Sequence, residues 1–243
     1  MNERQGNRKM KLLGIESSGQ TASSAIIEND TVLAEMSVKT KLTHSEILLP
    51  MIDEIIKKSG IDITEIDALA IASGPGSFTG LRIGAATVKG LGLALDKPVV
   101  PVETLEGLAY NIWNAETMVV PLMDARRGEV YWAGYEFKCG KMNVICEPAA
   151  EKIEELISKI NESGKEVTFL GDGASAFHEM LEKEVTVSKY FAPASMNLQR
   201  AASVASRGLE LIKENKAVSA DEFVPVYLRK SQAERERDRK CQK

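Results

Sequence analysis

The sequence predicts an α/β fold made of two similar halves, and three observations carry that expectation. Three β-rich segments near the start are separated by short turns, as in an antiparallel meander. Strands that alternate with helices come next, an order that requires parallel crossovers. The same order, three strands followed by helix, strand and helix, recurs later in the 243 residues without a matching sequence repeat.

The first strands are expected at 10–16, 22–28 and 32–38, divided by Ser17-Ser18-Gly19-Gln20-Thr21 and by the turn Glu28-Asn29-Asp30. Thr43, with Glu46 three residues on, makes a capping box that opens a helix over 43–58, and Ser59-Gly60 ends it. Pro50 lacks an N–H and implies a kink or a later start. A strand at 66–73, a glycine-rich turn, a helix over 78–95 and a strand at 99–102 complete the first half. A short helix over 104–113 leads into strands 118–123, 129–137 and 141–146. Helix 149–160, strand 167–170 and helices 174–181 and 196–215 follow. The halves are thus 10–103 and 104–229, with helix 196–215 packing back on the first. The ends, 1–9 and 230–243, are expected to be flexible or solvated. In such two-part folds the ligand cleft lies between the halves.

Apolar residues at 44% and charged residues at 27% describe an ordered globular chain. A net charge of −4 argues against a surface that grips nucleic acid throughout, because phosphate neutralisation needs clustered Lys and Arg. No apolar run reaches the roughly 18 to 20 residues of a membrane-spanning helix. Cys139, Cys146 and Cys241 match no zinc or redox spacing, so free thiols in the cytoplasm are expected.

The most informative segment is Ser73-Gly74-Pro75-Gly76-Ser77-Phe78-Thr79-Gly80-Leu81-Arg82-Ile83-Gly84, which follows one strand and opens one helix. Its plain reading is a tight connection in which Gly relieves crowding and Ser77 caps the helix; backbone N–H groups there could also face an anion. It is neither a Walker loop nor a dinucleotide turn. Together with Lys11-Leu12-Leu13-Gly14-Ile15-Glu16-Ser17-Ser18, Thr43-His44-Ser45-Glu46-Ile47-Leu48-Leu49-Pro50 and Pro225-Val226-Tyr227-Leu228-Arg229, it resembles the hallmark segments of the bacterial TsaB (YeaZ) family. The likeness runs from about Met10 to Arg229.

That resemblance implies an actin-like (ASKHA) fold of two ribonuclease-H-like halves. It also implies a dimerisation subunit of the machinery that makes threonylcarbamoyladenosine in tRNA, without catalytic residues or a cofactor of its own. The implied partners are the related catalytic subunit TsaD and the ATPase TsaE, which supply the ATP and metal ion. A homodimer is implied when TsaD is absent, and tRNA is met only through the complex. In TsaD a helix carries two metal-binding histidines; Thr104 and Leu108 occupy those places here, and neither replaces an imidazole. His44, beside a helix start, and His178 are the only histidines. They form no H-E-x-x-H, and no G-x-S-x-G surrounds any serine, so protease and serine-hydrolase readings fail.

A nucleotide site of low affinity is expected at Ser17, Ser18, Gly171 and Gly173, the two turns that resemble those of actin-like ATPases. Glu16 stands where such ATPases have Asp, which weakens hydrolysis; a stand-alone ATPase or kinase is the alternative function. Asp124 is expected to pair with Arg126 or Arg127, the alternative being a second acidic group for the cleft. For partner binding, Leu48, Leu49, Met51, Ile52 and Ile55 cover more than one ordinary apolar stripe. Gly80, Gly84 and Val88, with Gly92, form a small-residue row that suits close helix packing, and Ala86, Gly90 and Ala94 form another.

Overall fold

The computed structural model describes residues 9–40 and 42–229. The expected solvated ends, apart from Lys9, and Cys241 lie outside the described residues. In the first half, β1 (Lys11–Glu16), β2 (Thr21–Glu28) and β3 (Thr31–Lys39) form the antiparallel meander. Strands β4 (Ala68–Gly74) and β5 (Val99–Glu103) add in parallel, giving the order β3-β2-β1-β4-β5. The second half has β6 (Met118–Arg126), β7 (Glu129–Lys138), β8 (Lys141–Lys152), β9 (Val167–Leu170) and β10 (Lys189–Phe191), ordered β10-β9-β6-β7-β8. Its pairings repeat those of the first half, two antiparallel and two parallel.

The strand period of two sends Leu13 and Ile15 to one face of the first sheet and Leu12 to the other. Helices α1 (His44–Ser59) and α2 (Phe78–Leu95) cover the outer face through Leu48, Ile52, Ile55, Ala85 and Val88. The short α3 (Thr104–Ala109), which follows the first sheet in the chain, covers the second sheet through Leu105 and Leu108. Helices α4 (Ile153–Ser163), α5 (Asp172–Ala176) and α6 (His178–Glu184) pack on the outer face of that sheet around Trp132 and Phe169. After α7 (Ala194–Asn197), α8 (Ala201–Lys213) returns to the inner face of the first sheet, where Val204, Ala205 and Leu211 meet Leu12, Ala70 and Val102. The helix that follows the first sheet in the chain therefore roofs the second, and the last helix roofs the first.

Local signals explain the helix ends. The Thr43 N–H donates to Glu46 Oε2 (2.7 Å), closing the capping box, and Gly60 ends α1 with φ 72°. Helix α1 begins at His44 in spite of Pro50, which sits on the exposed side. Ser77 Oγ accepts from the Gly80 N–H (3.2 Å) at the start of α2.

Four expectations are corrected. Residues 149–152 are strand, because β8 continues past a bulge opposite Gly134 and pairs Ala149 and Ala150 with Trp132 and Tyr131; the helix begins only at Ile153. The helix expected over 174–181 is broken at Phe177 (φ −109°, ψ 18°) into α5 and α6. The helix expected over 196–215 is split, because Arg200 is drawn across to the β2–β3 hairpin. Arg200 pairs with Glu35 there, and the Ala201 N–H donates to Ser23 Oγ (3.0 Å). Strand β10, three residues long, has no counterpart among the expected elements.

After α8, the chain runs back as an extended strap. Val218 bridges to Val99, the Val226 N–H donates to Ser73 O (2.7 Å), Tyr227 stacks on Phe78 (ring centroids 4.8 Å apart), and Arg229 pairs with Glu129 in the second half.

Candidate functional site

Two regions gather the residues singled out above: a cleft between the halves and the outward face of α1 and α2. The cleft encloses about 250 Å³, lined by Ser18, Gly19, Gln20, Gly76 and Ser77 from the first half and by Met123, Asp124, Ala125, Arg126, Tyr131 and Asp172 from the second. Elements end here together: β1 delivers Glu16 to Ser18, β6 delivers Asp124, and the β9–α5 turn delivers Asp172.

The electrostatics of the cleft are set by carboxylates. Glu16 is buried (1% exposed), its Oε1 accepts from the Ser18 N–H (2.6 Å), and burial pushes its pKa up to about 7 against the pull of the Ser17 and Ser18 hydrogen bonds. Asp172 is held above the ordinary range by burial, with the neighbouring Asp124 charge adding to the effect. The Asp172 carboxylate accepts from its own N–H, from that of Gly173 and from that of Asp124 (3.4 Å). Gly171, at φ 103°, donates its N–H to the backbone O (2.7 Å) and side-chain Oδ1 (3.0 Å) of Asn197. Asp124 pairs with Arg126 (3.5 Å), one of the two partners expected from the sequence.

The N–H groups of Ser17, Ser18, Gly171 and Gly173, the four residues expected to hold a nucleotide, are thus all given to acceptors of the chain itself. Two of those acceptors are carboxylates. Anion recognition by such turns needs free N–H donors, so these turns do not fit the phosphates of a nucleotide as they stand. Asp172, between Gly171 and Gly173, has no role in the reading of the sequence; its place at the mouth of a strand-to-helix turn was the available signal.

Thr104 and Leu108 are internal: Thr104 Oγ1 accepts from the Gly74 N–H (3.1 Å), and Leu108 packs with Val119 and Met123. His178 is exposed and stacks on Phe191, 4.3 Å between ring centroids, whereas His44 is half-buried at the start of α1. Among the described residues no group of three or more His, Cys, Asp or Glu could hold a metal ion, and no helix is long and apolar enough to cross a membrane.

On the helical face the structure corrects the residue choice. Leu48, Met51, Ile52, Ile55, Gly80, Gly84 and Val88 lie inside the chain, buried against its own sheet and turns. A Cβ at Gly80 would stand 2.0 Å from Ser17 O, and one at Gly84 would stand 2.3 Å from Ser17 Oγ, so that row seats α2 on the β1–β2 turn. Of the eight chosen positions only Leu49 is exposed (56%). The outward stripe of α2 is instead Ile83, Ala86, Thr87, Gly90, Leu91 and Ala94, at helical spacing, with Leu93 (59% exposed) beside it. A Cβ at Gly90 would meet nothing within 4 Å.

Comparison with known proteins agrees with this architecture. A profile of the family described as "TsaD: tRNA N6-adenosine threonylcarbamoyltransferase" matches residues 32–237. The tRNA threonylcarbamoyladenosine biosynthesis protein TsaB of Bacillus subtilis is 31% identical, covering 93% of this chain and 96% of its own. Its Escherichia coli namesake is 32% identical, covering 92% and 96%. The solved structure of YeaZ from Pseudomonas aeruginosa superposes with a TM-score of 0.77 at 27% identity, over 90% of this chain and all of that one. The ethanolamine utilization protein EutJ from Carboxydothermus hydrogenoformans, 12% identical, matches at 0.52 over 82% and 90%, a likeness of fold alone. The fold is the actin-like one. Because relatives above 30% identity span nearly the full length of both chains, the chain belongs to the TsaB (YeaZ) family of tRNA threonylcarbamoyladenosine biosynthesis proteins.

Proposed function

We propose that this chain is a non-catalytic docking subunit of the complex that forms threonylcarbamoyladenosine in tRNA, and that it holds the catalytic subunit TsaD on the outward face of α1 and α2. The observation that carries the reading is Gly90. Glycine inside a helix costs about 1 kcal/mol relative to Ala, and at Gly80, Gly84 and Gly92 the chain's own atoms account for its use. At Gly90 nothing in the chain does. A helix of another subunit, laid along Ala86, Gly90 and Ala94 and flanked by Leu49, Ile56 and Leu93, gives the missing reason.

In this reading ATP and the metal ion are handled by TsaD and TsaE, tRNA is met through the complex in the cytoplasm, and the same face joins two copies of this chain when TsaD is absent. The occupied N–H groups of the cleft turns weigh against a stand-alone ATPase or kinase. The test is gel filtration with TsaD of the same organism. Gly90→Leu should leave the isolated chain folded and abolish co-elution, while Gly90→Ala should be tolerated or bind more weakly. Co-elution of Gly90→Leu at wild-type strength would overturn the placement of the interface.

A further inference from the structure

We propose that the edge of β3 docks a second copy of this chain, which pairs with it antiparallel around Ser37 and joins the first sheets of the two copies into one. An edge strand offers a row of unpaired N–H and C=O groups, and folded proteins ordinarily blunt it. Among the described residues three of the four sheet edges are blunted. Strand β10 has only three residues, and β8 carries Pro148 and is bulged opposite Gly134. Strand β5 is covered by the strap, where Val99 and Val218 exchange N–H···O bonds of 2.9 and 2.8 Å. Strand β3 is longer than β5 and β10, contains no proline, and has β2 as its sole neighbour in the sheet. None of its residues is buried, and its one bulge, at Leu33, leaves a regular run over 34–39. The only charges on it are Glu35 and Lys39, and their opposite signs select a partner.

Side chains alternate along that run. Glu35, Ser37 and Lys39 share one side, where they line a hollow of about 450 Å³ with Arg200. Ala34 packs on the α1 side of the core with Leu48 and Ile26, and Met36 (38% exposed) and Val38 follow it by period. When two copies of one strand pair within a continuous sheet, the twofold axis stands perpendicular to the sheet and maps each face onto itself. Residues that meet must therefore lie on the same side of the strand. Centred on Glu35, the pairing sets two carboxylates face to face. Centred on Met36, it sets Lys39 against the bulged Leu33. Centred on Ser37, it opposes Glu35 to Lys39 and Met36 to Val38, each pair occurring twice, so charge and apolar surface are both complementary in that register. Arg200 of the same chain holds the Glu35 carboxylate in place, and Lys39 has no acidic partner among the described residues.

The edge is separate from the outward stripe of α2, which packs on β1, β4 and β5. A complex with TsaD is therefore expected to contain two copies of each subunit. A pairing this short lies at the small end of specific interfaces, so the dimer is expected to depend on concentration.

Sedimentation equilibrium of full-length Gly90→Leu, in which the helical face is blocked, tests the edge. A monomer–dimer equilibrium is expected. Adding Lys39→Glu, at an exposed position where folding is not at issue, should raise its dissociation constant at least tenfold by opposing two carboxylates on each side of the axis. Oxidation reads the register. With the three native cysteines changed to Ser, Ser37→Cys should cross-link two copies, because directly opposed Cα atoms stand about 4.5 to 5.5 Å apart, and Thr31→Cys should not. Loss of TsaD co-elution reports on the helical face and cross-linking through residue 37 on the edge, so the two proposals fail separately. Sedimentation of Gly90→Leu as a monomer at every concentration reached would overturn this one. So would a dimer that is indifferent to Lys39→Glu and does not cross-link through residue 37. Weaker co-elution of Lys39→Glu with TsaD, where Gly90→Leu alone is monomeric, would give the edge to TsaD and overturn the second copy.

Discussion

Glycine is the residue whose role here depends most on what stands above it. Gly80 and Gly90 sit on the same helix, yet a Cβ at the first would strike a backbone carbonyl 2.0 Å away and at the second would find open space. Gly80→Ala should therefore lower stability by about 1 to 3 kcal/mol, since a main-chain oxygen cannot move aside as a side chain can. Gly90→Ala should raise the stability of the isolated chain by up to about 1 kcal/mol. Urea midpoints of the two variants measure both, and equal shifts of the same sign would refute the assignment of the two faces. Nothing in the sequence separates these glycines. Both belong to four-residue rows of small side chains, and only the packing of the β1–β2 turn under one row tells them apart.

At the scale of elements, α1 makes the same distinction between adjacent leucines. Leu48 is 1% exposed and Leu49 56%. Leu48→Glu places an unpaired charge in the core and should unfold the chain, a loss well above the roughly 1.5 to 3 kcal/mol of the lost burial alone. Leu49→Glu should leave the circular dichroism and melting temperature near those of the wild type while weakening association with TsaD. A folded Leu48→Glu would show that α1 does not pack as described. Elements whose ends are decided locally were legible in the sequence: α1 through its capping box and Gly60, α2 through Ser77, and β9 through its short apolar run. Elements decided by distant partners were not. Ala149 and Ala150 favour helix by propensity, but pairing with β7 holds them extended, and β10 is a strand only because β9 lies beside it. The cleft was half legible for the same reason. The turns that form it could be read, but Glu16 and Asp172 folding back onto those turns could not.

For the molecule as a whole, buried carboxylates set how stability follows pH. Besides Glu16, Glu103 is raised to about 7 by burial; it caps α3 through the Leu105 (3.0 Å) and Glu106 (3.2 Å) N–H groups and accepts from the Tyr135 hydroxyl (2.6 Å) in the second sheet. A carboxyl raised in the folded state stabilises most when protonated. The contribution is full below the unfolded value near 4.5 and is lost as pH rises through about 7. The loss is on the order of 3 kcal/mol for each group. Glu103→Gln should accordingly gain on the wild type as pH goes from 5 to 8, read from urea unfolding at both values. A difference between the two proteins that does not change with pH would show that Glu103 is not so buried.

The exchange of roofs between the halves has a consequence for how the chain could be divided. Cutting after α3 would strip α8 from the first sheet and leave Leu12, Ala70, Val100 and Val102 bare, while the second piece would lose α3 and bare Val119, Tyr135 and Phe137. Each fragment would carry a naked apolar sheet together with a stray helix shaped for the other, so neither should be soluble by itself. Mixed together, the fragments hold matching locks and keys. They should reassemble from solution as a two-chain protein, and the intact chain should melt in one transition despite its twofold architecture.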